Sequence, residues 1–587
     1  MIEAPRANNR RRALLTAAAA LLALPVGARA QQTTPRAASA PPPSRGVVEA
    51  AADRTVERDA DPWPVWGWLY RIGSDSADQL SLGALRDSTR SAPSLLRSAS
   101  SETPRVTPED RTGRLGAADW RWLAPSATVV LSTAIPYSLN DGALWAGRGL
   151  SLHVDGGWES ALGRVRLILA PELLWIGNAH YRLADTGTMI APSIPDGRSP
   201  YSSPWNGPPN SIDQPLRFGD ARIARLDPGQ SSVTVALGAL DAGFATENEW
   251  WGPGVRNALI LSNNAGGFPH LFLRSARPIA TPLGALEFRY LLGGLSESAF
   301  FDTVTTNDLR SYSAAALTLQ PRGVAGLTVG AARAVYAVAD GATGIAAHAL
   351  DVLASVPEPD YAAAADSVLG GRDQLLSLFT RWVLPAAGFE FHAEVARAAF
   401  PRSLRDLLVS PGHSRGHTVG LQWASDVLLR GGTVRLQAEY TNVEQDPSRY
   451  YRPVGSFYTS ARVPQGYTHR GQVLGAAIGP GASSQWLAVD YFTPEWSAGV
   501  SLARIRWNND AHNTRPWRPQ QGNCEHDVSF LPTIRASARG PLGTISARLV
   551  TGKRMNAYFD NGGWCPSTPH PRDEGNIVLG VTIEPRF

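Results

Sequence analysis

NIVLGVTIEPRF, from Asn576 to Phe587, is the stretch that decides the fold, because apolar and polar residues alternate along it. Successive side chains of a strand point to opposite faces, so a period of two gives this segment one lipid-compatible face and one water-compatible face. The same alternation recurs from Leu286 to Leu292 and from Thr433 to Tyr440. The sequence therefore predicts an all-β chain.

A water-soluble β-sandwich would show the same alternation as a membrane-spanning barrel. Features elsewhere in the chain have to distinguish these two fold classes. Only 18% of the 587 residues are charged, and 56 Gly and 45 Pro indicate many turns. Many such strands in an exported chain favour a closed transmembrane barrel, in which every backbone polar group is satisfied. The terminal Phe587 resembles the sorting signal of bacterial outer-membrane barrels, so the barrel-assembly machinery is an expected partner beside outer-membrane lipid.

The N-terminus divides into short regions before the barrel. Residues 1–30 have the three parts of a secretory signal, with cleavage expected after Ala30. Residues 31–60 are a Pro-, Ala- and Ser-rich linker, 61–122 a small helical unit at the periplasmic side or plugging the barrel, and 123–587 the barrel. The formal net charge of +4 leaves with the signal, which makes nucleic acid an unexpected partner.

The strand number follows from the turns. Short turns that look periplasmic occur at 160–163, 278–284, 320–326, 385–388, 430–432, 493–496 and 540–543. Counting every apolar alternating run gives an odd number, which a single-chain bacterial barrel does not allow. The glycine-rich segment Tyr467 to Gly481 is the poorest strand. As a loop folded against the barrel, it leaves about eighteen strands.

Enzyme and metal motifs are weak. Gly412 to Gly416 matches G-x-S-x-G, but a predicted strand follows where a nucleophile elbow needs a helix. The eleven histidines show no zinc-protease spacing, and no cofactor fingerprint is present. We expect no catalytic residue, metal site or cofactor. Cys524 and Cys565 fall in the last two long loops, where they form either a disulfide or two free thiols.

Trp250 and Trp251 stand out within ENEWWGPG, residues 247–254, between two acids and a Gly-Pro-Gly turn. Most tryptophans of a barrel belong to its interfacial girdle. Adjacent strand residues face opposite sides, however, so a sharp bend here would hold at least one ring in the lumen. Such rings would stack on sugars, or would shape the lumen and dock the N-terminal helices.

ENEWWGPGVRNALILSNNAGGFPHLFLR (Glu247 to Arg274) and YTHRGQVLGAAIGPGASSQWLAVDYF (Tyr467 to Phe492) resemble the outer-membrane capsule-assembly (Wzi) family. The resemblance implies an eighteen-stranded outer-membrane barrel with an N-terminal helical bundle, acting as a lectin for capsular polysaccharide. Eight residues in these two blocks break strand periodicity and are predicted to bind glycan or organise the site: Trp250, Trp251, Arg256, Asn263, Asn264, Tyr467, His469 and Arg470.

A porin is the alternative function. Its lumen would be lined by charged residues that either face an open pore or pair and close it, namely Glu287, Arg289, Arg435, Glu439, Arg548 and Glu584.

Overall fold

The computed structural model describes residues 67–87, 92–107, 109, 111–184, 199–206, 210–358, 371–427, 431–514, 526–559 and 573–585. The predicted signal, the linker and both cysteines lie outside these residues. Among the described residues, no helix has the length and apolar character needed to cross a membrane.

The described strands run in chain order along most of the sequence. They are β1 (Leu96–Ser98), β2 (Gly113–Leu115), β3 (Ala118–Ser132), β4 (Gly149–Leu162), β5 (Val165–Leu169), β6 (Glu172–Ile176), β7 (Ile223–Asp227), β8 (Ser232–Ala236), β9 (Leu240–Ala245), β10 (Glu249–Trp251), β11 (His270–Ser275), β12 (Ile279–Thr281), β13 (Gly284–Ser296), β14 (Leu309–Pro321), β15 (Leu327–Val338), β16 (Arg372–Leu384), β17 (Phe389–Arg397), β18 (Arg415–Val427), β19 (Gly432–Asn442), β20 (Thr468–His469), β21 (Gln472–Val473), β22 (Ser483–Phe492), β23 (Trp496–Trp507), β24 (Asp527–Gly540), β25 (Gly543–Met555) and β26 (Glu574–Pro585).

The strands form a closed antiparallel barrel of 18 wall strands, as predicted. Three wall strands are interrupted: β5 and β6 both pair with β4, β7 and β8 continue the next strand, and β11 and β12 both pair with β13. Pairing of β26 with β3, at Val581 opposite Val129, closes the barrel. Closure leaves no unpaired sheet edge in the wall, which is the condition for a β-structure in lipid.

The alternation of β26 maps onto the two faces of the wall. Ile577, Leu579 and Ile583 are exposed on the outside, whereas Asn576 and Val578 are buried. Apolar outward residues recur around the barrel, including Leu378, Leu421 and Leu487. The wall thus has the apolar outer face that a membrane requires.

The two ends of the barrel differ in the length of their connections. The predicted short turns coincide with connections such as 322–326 between β14 and β15 and 541–542 between β24 and β25. We call this the short-turn end, and the opposite end, where connections such as 443–482 lie, the long-loop end. Tyr467 to Gly481 is not a wall strand, because its hairpin of β20 and β21 forms a separate two-stranded sheet.

The described residues also form short helices that are not part of the barrel wall. They are α1 (Asp75–Arg86), α2 (Ala99–Glu102), α3 (Gly341–Ala347), α4 (Leu404–Val409) and α5 (Asn509–Thr514), with 3-10 turns at Asp351–Leu353, Pro385–Ala387, Pro447–Tyr450 and Ala557–Phe559.

Helix α1 is amphipathic and packs against the wall. Ser74 caps it by accepting a hydrogen bond from the Ala77 backbone amide at 3.2 Å. Its Leu82 and Leu85 are buried with Val383, Ala424 and Phe492. The segment from Gly67 to Thr107 therefore supplies both a helix and the strand β1 to the barrel interior.

Candidate functional site

The ENEWWGPG segment leaves the wall between β9 and β11 and turns into the lumen. Its strand β10 pairs antiparallel with β1 of the N-terminal segment, with Trp251 opposite Leu96 and Trp250 opposite Arg97. The same two chain segments are joined where the Gly252 amide donates to the Leu95 carbonyl at 2.9 Å. The aromatic pair is therefore part of the joint between the N-terminal segment and the barrel.

Both tryptophan rings are buried at this joint. Trp251 is 0% exposed, and its Nε1–H donates to Glu249 at 2.9 Å, while Glu249 forms an ion pair with Arg289 of the wall. The Trp250 ring is 4% exposed and lies 5.6 Å beneath the guanidinium of Arg97. The two rings thus serve interior contacts on opposite sides of β10.

The Gly-Pro-Gly turn requires glycine at its first position. Gly252 has φ +117°, and a Cβ there would lie 2.8 Å from a carboxylate oxygen of Glu394 on β17. Just beyond the turn, the Glu439 carboxylate of β19 accepts hydrogen bonds from the backbone amides of Val255 (2.5 Å), Arg256 (3.1 Å) and Asn257 (2.9 Å). A wall carboxylate thus satisfies three successive amides that have no partner strand.

The second sequence block lies against the first. Tyr467 is 0% exposed, exchanges a hydrogen bond with Tyr312 at 2.8 Å and donates to the Ile260 carbonyl at 3.0 Å. Asn264 Nδ2 donates to the Val473 carbonyl at 2.8 Å. Residues separated by about two hundred positions in the sequence therefore form one internal scaffold.

His469 and Arg470, adjacent in this block, contact different partners. His469 is 1% exposed and accepts the Ser296 amide on Nδ1 at 3.1 Å. Burial, together with the guanidinium groups of Arg470 and Arg310, lowers the pKa of His469 well below its usual value, so the ring is neutral. Arg470 turns away and forms an ion pair with Asp227.

The remaining predicted residues border a luminal chamber of about 500 Å³. Arg256, with its guanidinium 5.6 Å from the Trp486 ring, lines this chamber together with Trp250 and Asn263. Asn263 Nδ2 donates to the Asn140 carbonyl at 3.1 Å. Trp251, Asn264, Tyr467, His469 and Arg470 are not among its lining residues. The structure thus joins the eight residues in one scaffold but brings three to the chamber.

The predicted luminal charges are all engaged by interior groups. Arg435 binds Asp78 of α1 at 2.6 Å and Asp490 at 3.0 Å. The others pair as follows: Arg289 with Glu249, Arg548 with Asp141 at 2.8 Å, Glu584 with Arg71 at 3.9 Å, Glu287 with the Ser94 hydroxyl at 2.7 Å, and Glu439 with the amides of 255–257. The sequence did not identify Arg71, Asp78 and Asp141 as partners. The only signal was a pair of acids, Asp75 and Asp78, in the first turn of α1.

One buried cluster has the composition of a metal site. Ligand atoms of Glu247, Glu249 and His270 lie within 4.8 Å of one another. Arg289 pairs with Glu249, and Arg274 lies 3.9 Å from Glu247 and donates to Ser100, which itself binds Glu247. Two guanidinium groups already neutralise the two carboxylates, so the cluster is explained as an internal ion-pair network.

The G-x-S-x-G match spans the end of the loop before β18 and the first two residues of that strand. Ser414 is buried and its hydroxyl donates to the Ala399 carbonyl at 3.3 Å. Nearby, Ser448 Oγ lies 3.4 Å from His413 Nδ1, and His413 Nε2 faces Glu358. Glu358 also pairs with Arg452, so this carboxylate holds two loops together in addition to orienting the histidine. We interpret the group as a structural contact between loops.

Comparison with known proteins agrees with the sequence resemblance. The family model of the capsule assembly protein Wzi matches residues 155–363, and the predicted resemblance is confirmed. Comparison with curated proteins gave no match.

Among solved structures, Wzi of Escherichia coli is similar with a TM-score of 0.50 at 13% identity, covering 78% of this chain and 84% of that chain. That protein is described as an outer membrane protein involved in group 1 capsule assembly and as a carbohydrate-binding β-barrel. OprD from Pseudomonas aeruginosa matches at a TM-score of 0.36 and 10% identity, over 81% of this chain and 95% of that one. The likeness to Wzi establishes the barrel fold.

Proposed function

We propose that this chain is a non-enzymatic outer-membrane barrel that binds surface polysaccharide, capsular polysaccharide above all, and supports its attachment or assembly. The observation that carries this proposal is that chain segments and paired charges occupy the lumen around the chamber described above. Helix α1, strand β1 and the infolded segment 246–269 occupy the lumen, and the six luminal charges named above are satisfied by interior groups. A diffusion pore needs charged groups that face water along a continuous path, so this pairing favours a binding protein over a porin.

The family match supports the choice of polysaccharide as ligand. It covers 155–363, which includes the WWGPG turn. The infolded segment 246–269, which holds the interior of the barrel together, lies within this match.

The eight predicted residues act as organisers of the binding protein in this proposal. Trp251, Tyr467 and His469 are too deeply buried to touch an external polymer. They hold the two infolded segments, 246–269 and 467–481, in one conformation. These segments belong to connections between wall strands. Preorganised loops lose less entropy on binding a flexible chain. Contacts to polysaccharide are then made by exposed residues of the long-loop end.

The proposed location follows from the sequence and the fold together. A cleaved signal would export the chain, and the apolar outer face would place the barrel in the outer membrane with its short-turn end toward the periplasm. Cys524 and Cys565 form either a bridge between two long loops or two free thiols, and peptide mapping under non-reducing and reducing conditions distinguishes the two.

The direct test is binding of polysaccharide to full-length protein reconstituted in lipid nanodiscs. Surface polysaccharide from the source cell, immobilised on a biosensor, is expected to bind saturably, whereas neutral dextran of equal length is not. Absence of saturable binding to the native polysaccharide would refute the proposal. Planar-bilayer recordings on the same preparation address the porin alternative, since steady ion flow would favour it.

A further inference from the structure

One sector of the long-loop end carries an exposed apolar patch of a kind that a hydrated polysaccharide would not cover. We call it the rim patch and define it as residues 400–413 together with 446–453. The first segment connects β17 to β18 and includes α4, and the second belongs to the connection that follows β19.

Ionic contacts hold the two halves of the rim patch together. Arg452 binds Asp406 at 2.7 Å and also pairs with Glu358, whose side chain is 2% exposed. His413 contacts the same Glu358 carboxylate, and Arg397 at the end of β17 donates to the His413 carbonyl at 2.6 Å. The patch is therefore a built surface fixed to the wall.

Large apolar side chains project from this surface. Leu404 and Leu408 are each 72% exposed, Val409 and Tyr450 each 71%, and Tyr451 87%. Leu404 and Leu408 lie about one turn apart on α4, and exposed apolar side chains grouped in this way mark a contact surface. Directly below, Val395, Val419 and Tyr440 form the upper part of the lipid-facing belt on β17, β18 and β19. The patch thus continues the apolar belt beyond the ends of the strands.

The charges around these apolar residues are unequal. The Arg402 side chain is 68% exposed, although its Nε lies 3.5 Å from Glu358, and Arg405 is exposed. The carboxylates of Glu358 and Asp406 are 2% and 20% exposed and engaged with Arg452, and Asp446 accepts the Ser448 amide at 2.9 Å. Guanidinium groups bind phosphate bidentately, and exposed leucines beside them suit acyl chains. A soluble polysaccharide would not cover leucines, and a zwitterionic phospholipid would not require an excess of arginine.

We propose that the rim patch is a docking surface for an anionic, acylated saccharide lipid of the surrounding leaflet. Arg402 and Arg405 bind its phosphate groups, and Leu404, Leu408 and Val409 contact its acyl chains near the headgroup. The bound lipid would seal the barrel wall at β17–β19 and fix the two loops from outside.

The test uses full-length protein in detergent and fluorescently labelled lipopolysaccharide as the probe. The variants are the double substitutions Leu404→Ser with Leu408→Ser and Arg402→Gln with Arg405→Gln. Leu542→Ser and Arg322→Gln, at exposed positions of the short-turn end, are matched controls. The arginine double variant is expected to weaken binding by about thirtyfold, because it removes two cationic contacts near a charged surface, each worth about fivefold in affinity. The leucine double variant is also expected to weaken binding, because it removes the apolar contact with the acyl chains. The controls should bind as the wild type does.

Two further arms decide between ligand classes. Phosphatidylcholine is expected not to compete, and deacylated lipopolysaccharide is expected to compete weakly and equally well for the wild type and the leucine variant. Unchanged binding in both double variants would overturn the proposal, as would equal affinity for the deacylated and intact molecules. Heat-modifiable migration on gels verifies that each variant forms the barrel.

Discussion

Glu439, on the inner face of the wall, accepts the backbone amide of Asn257 at 2.9 Å, and thereby anchors a segment that has left the wall. The same carboxylate takes the two preceding amides. A wall strand normally finds its hydrogen-bond partners in its neighbours. Here the Glu439 carboxylate takes the place of the neighbouring strand as hydrogen-bond acceptor. The WWGPG segment can therefore lie in the lumen without leaving these amides unpaired.

Replacing Glu439 by Ala should loosen the infolded segment, because three buried amides lose their acceptor. The expected cost is about 1–3 kcal/mol for each donor left unsatisfied. Hydrogen exchange at Val255, Arg256 and Asn257 should accelerate strongly. Glu439→Gln keeps an acceptor oxygen and should show a smaller effect, and equal exchange in all three proteins would contradict this role.

Gly252→Ala should be strongly destabilising, because φ +117° is strained for alanine and the added Cβ meets Glu394 at 2.8 Å. Strain of this kind costs about 1–3 kcal/mol before the clash is counted. Gly238→Ala is the matched control, since it also has positive φ (+82°) but nothing within 4 Å. The measurement is denaturant unfolding in detergent, where the first variant should lose clearly more stability than the second.

Trp251→Ala should reduce stability by about 3–5 kcal/mol, the usual cost of removing a large buried ring. If the ring organises the interior and does not touch ligand, a variant that still folds should retain polysaccharide affinity within a few fold. Loss of binding in a barrel with normal heat-modifiable migration would instead assign Trp251 to the ligand contact. Biosensor titration with the native polysaccharide distinguishes these outcomes.

Asp78→Asn should loosen helix α1 from the barrel wall, because Asp78 joins α1 to Arg435 of β19. The Arg435 guanidinium holds the pKa of Asp78 below its usual value despite burial, so the carboxylate is ionised at neutral pH. Planar-bilayer recordings should show a silent wild type and transient openings in the variant. Asp119→Asn, which removes a pair with Arg111 at 2.7 Å in the β2–β3 hairpin and no contact of α1, should stay silent.

The loop contact at Asp510 should weaken as the pH rises. Burial raises the pKa of Asp510 from 3.8 to about 7, so its protonated form is favoured in the folded state. The stabilisation is complete below pH 3.8 and disappears as the pH rises through 7, with a total of up to about 4 kcal/mol. Protection factors for the Gln445 amide, which donates to Asp510 at 2.8 Å, should fall over this range. In Asp510→Asn, the pH dependence should vanish.

The fold was predictable because its signal is local. Alternation along β26 assigns a face to each residue, and the glycines between Tyr467 and Gly481 weaken strand formation there. The same reasoning identified the break in the wall at Trp250–Trp251, since two adjacent rings cannot share one face of a strand.

The partners inside the barrel were not predictable from local pattern. Trp251 pairs with Leu96, and Arg435 pairs with Asp78, across long sequence separations that leave no periodic trace. The rim patch was also missed, because leucines such as Leu404 and Leu408 at helical spacing normally indicate a buried face. Their exposure becomes evident when the helix is placed beyond the end of β17.

The decisive measurement is the affinity of the reconstituted full-length protein for the source cell's own polysaccharide. Binding should be saturable and should persist in protein that conducts no ions in planar bilayers. Absence of saturable binding, in a preparation with normal heat-modifiable migration, would contradict the proposed function.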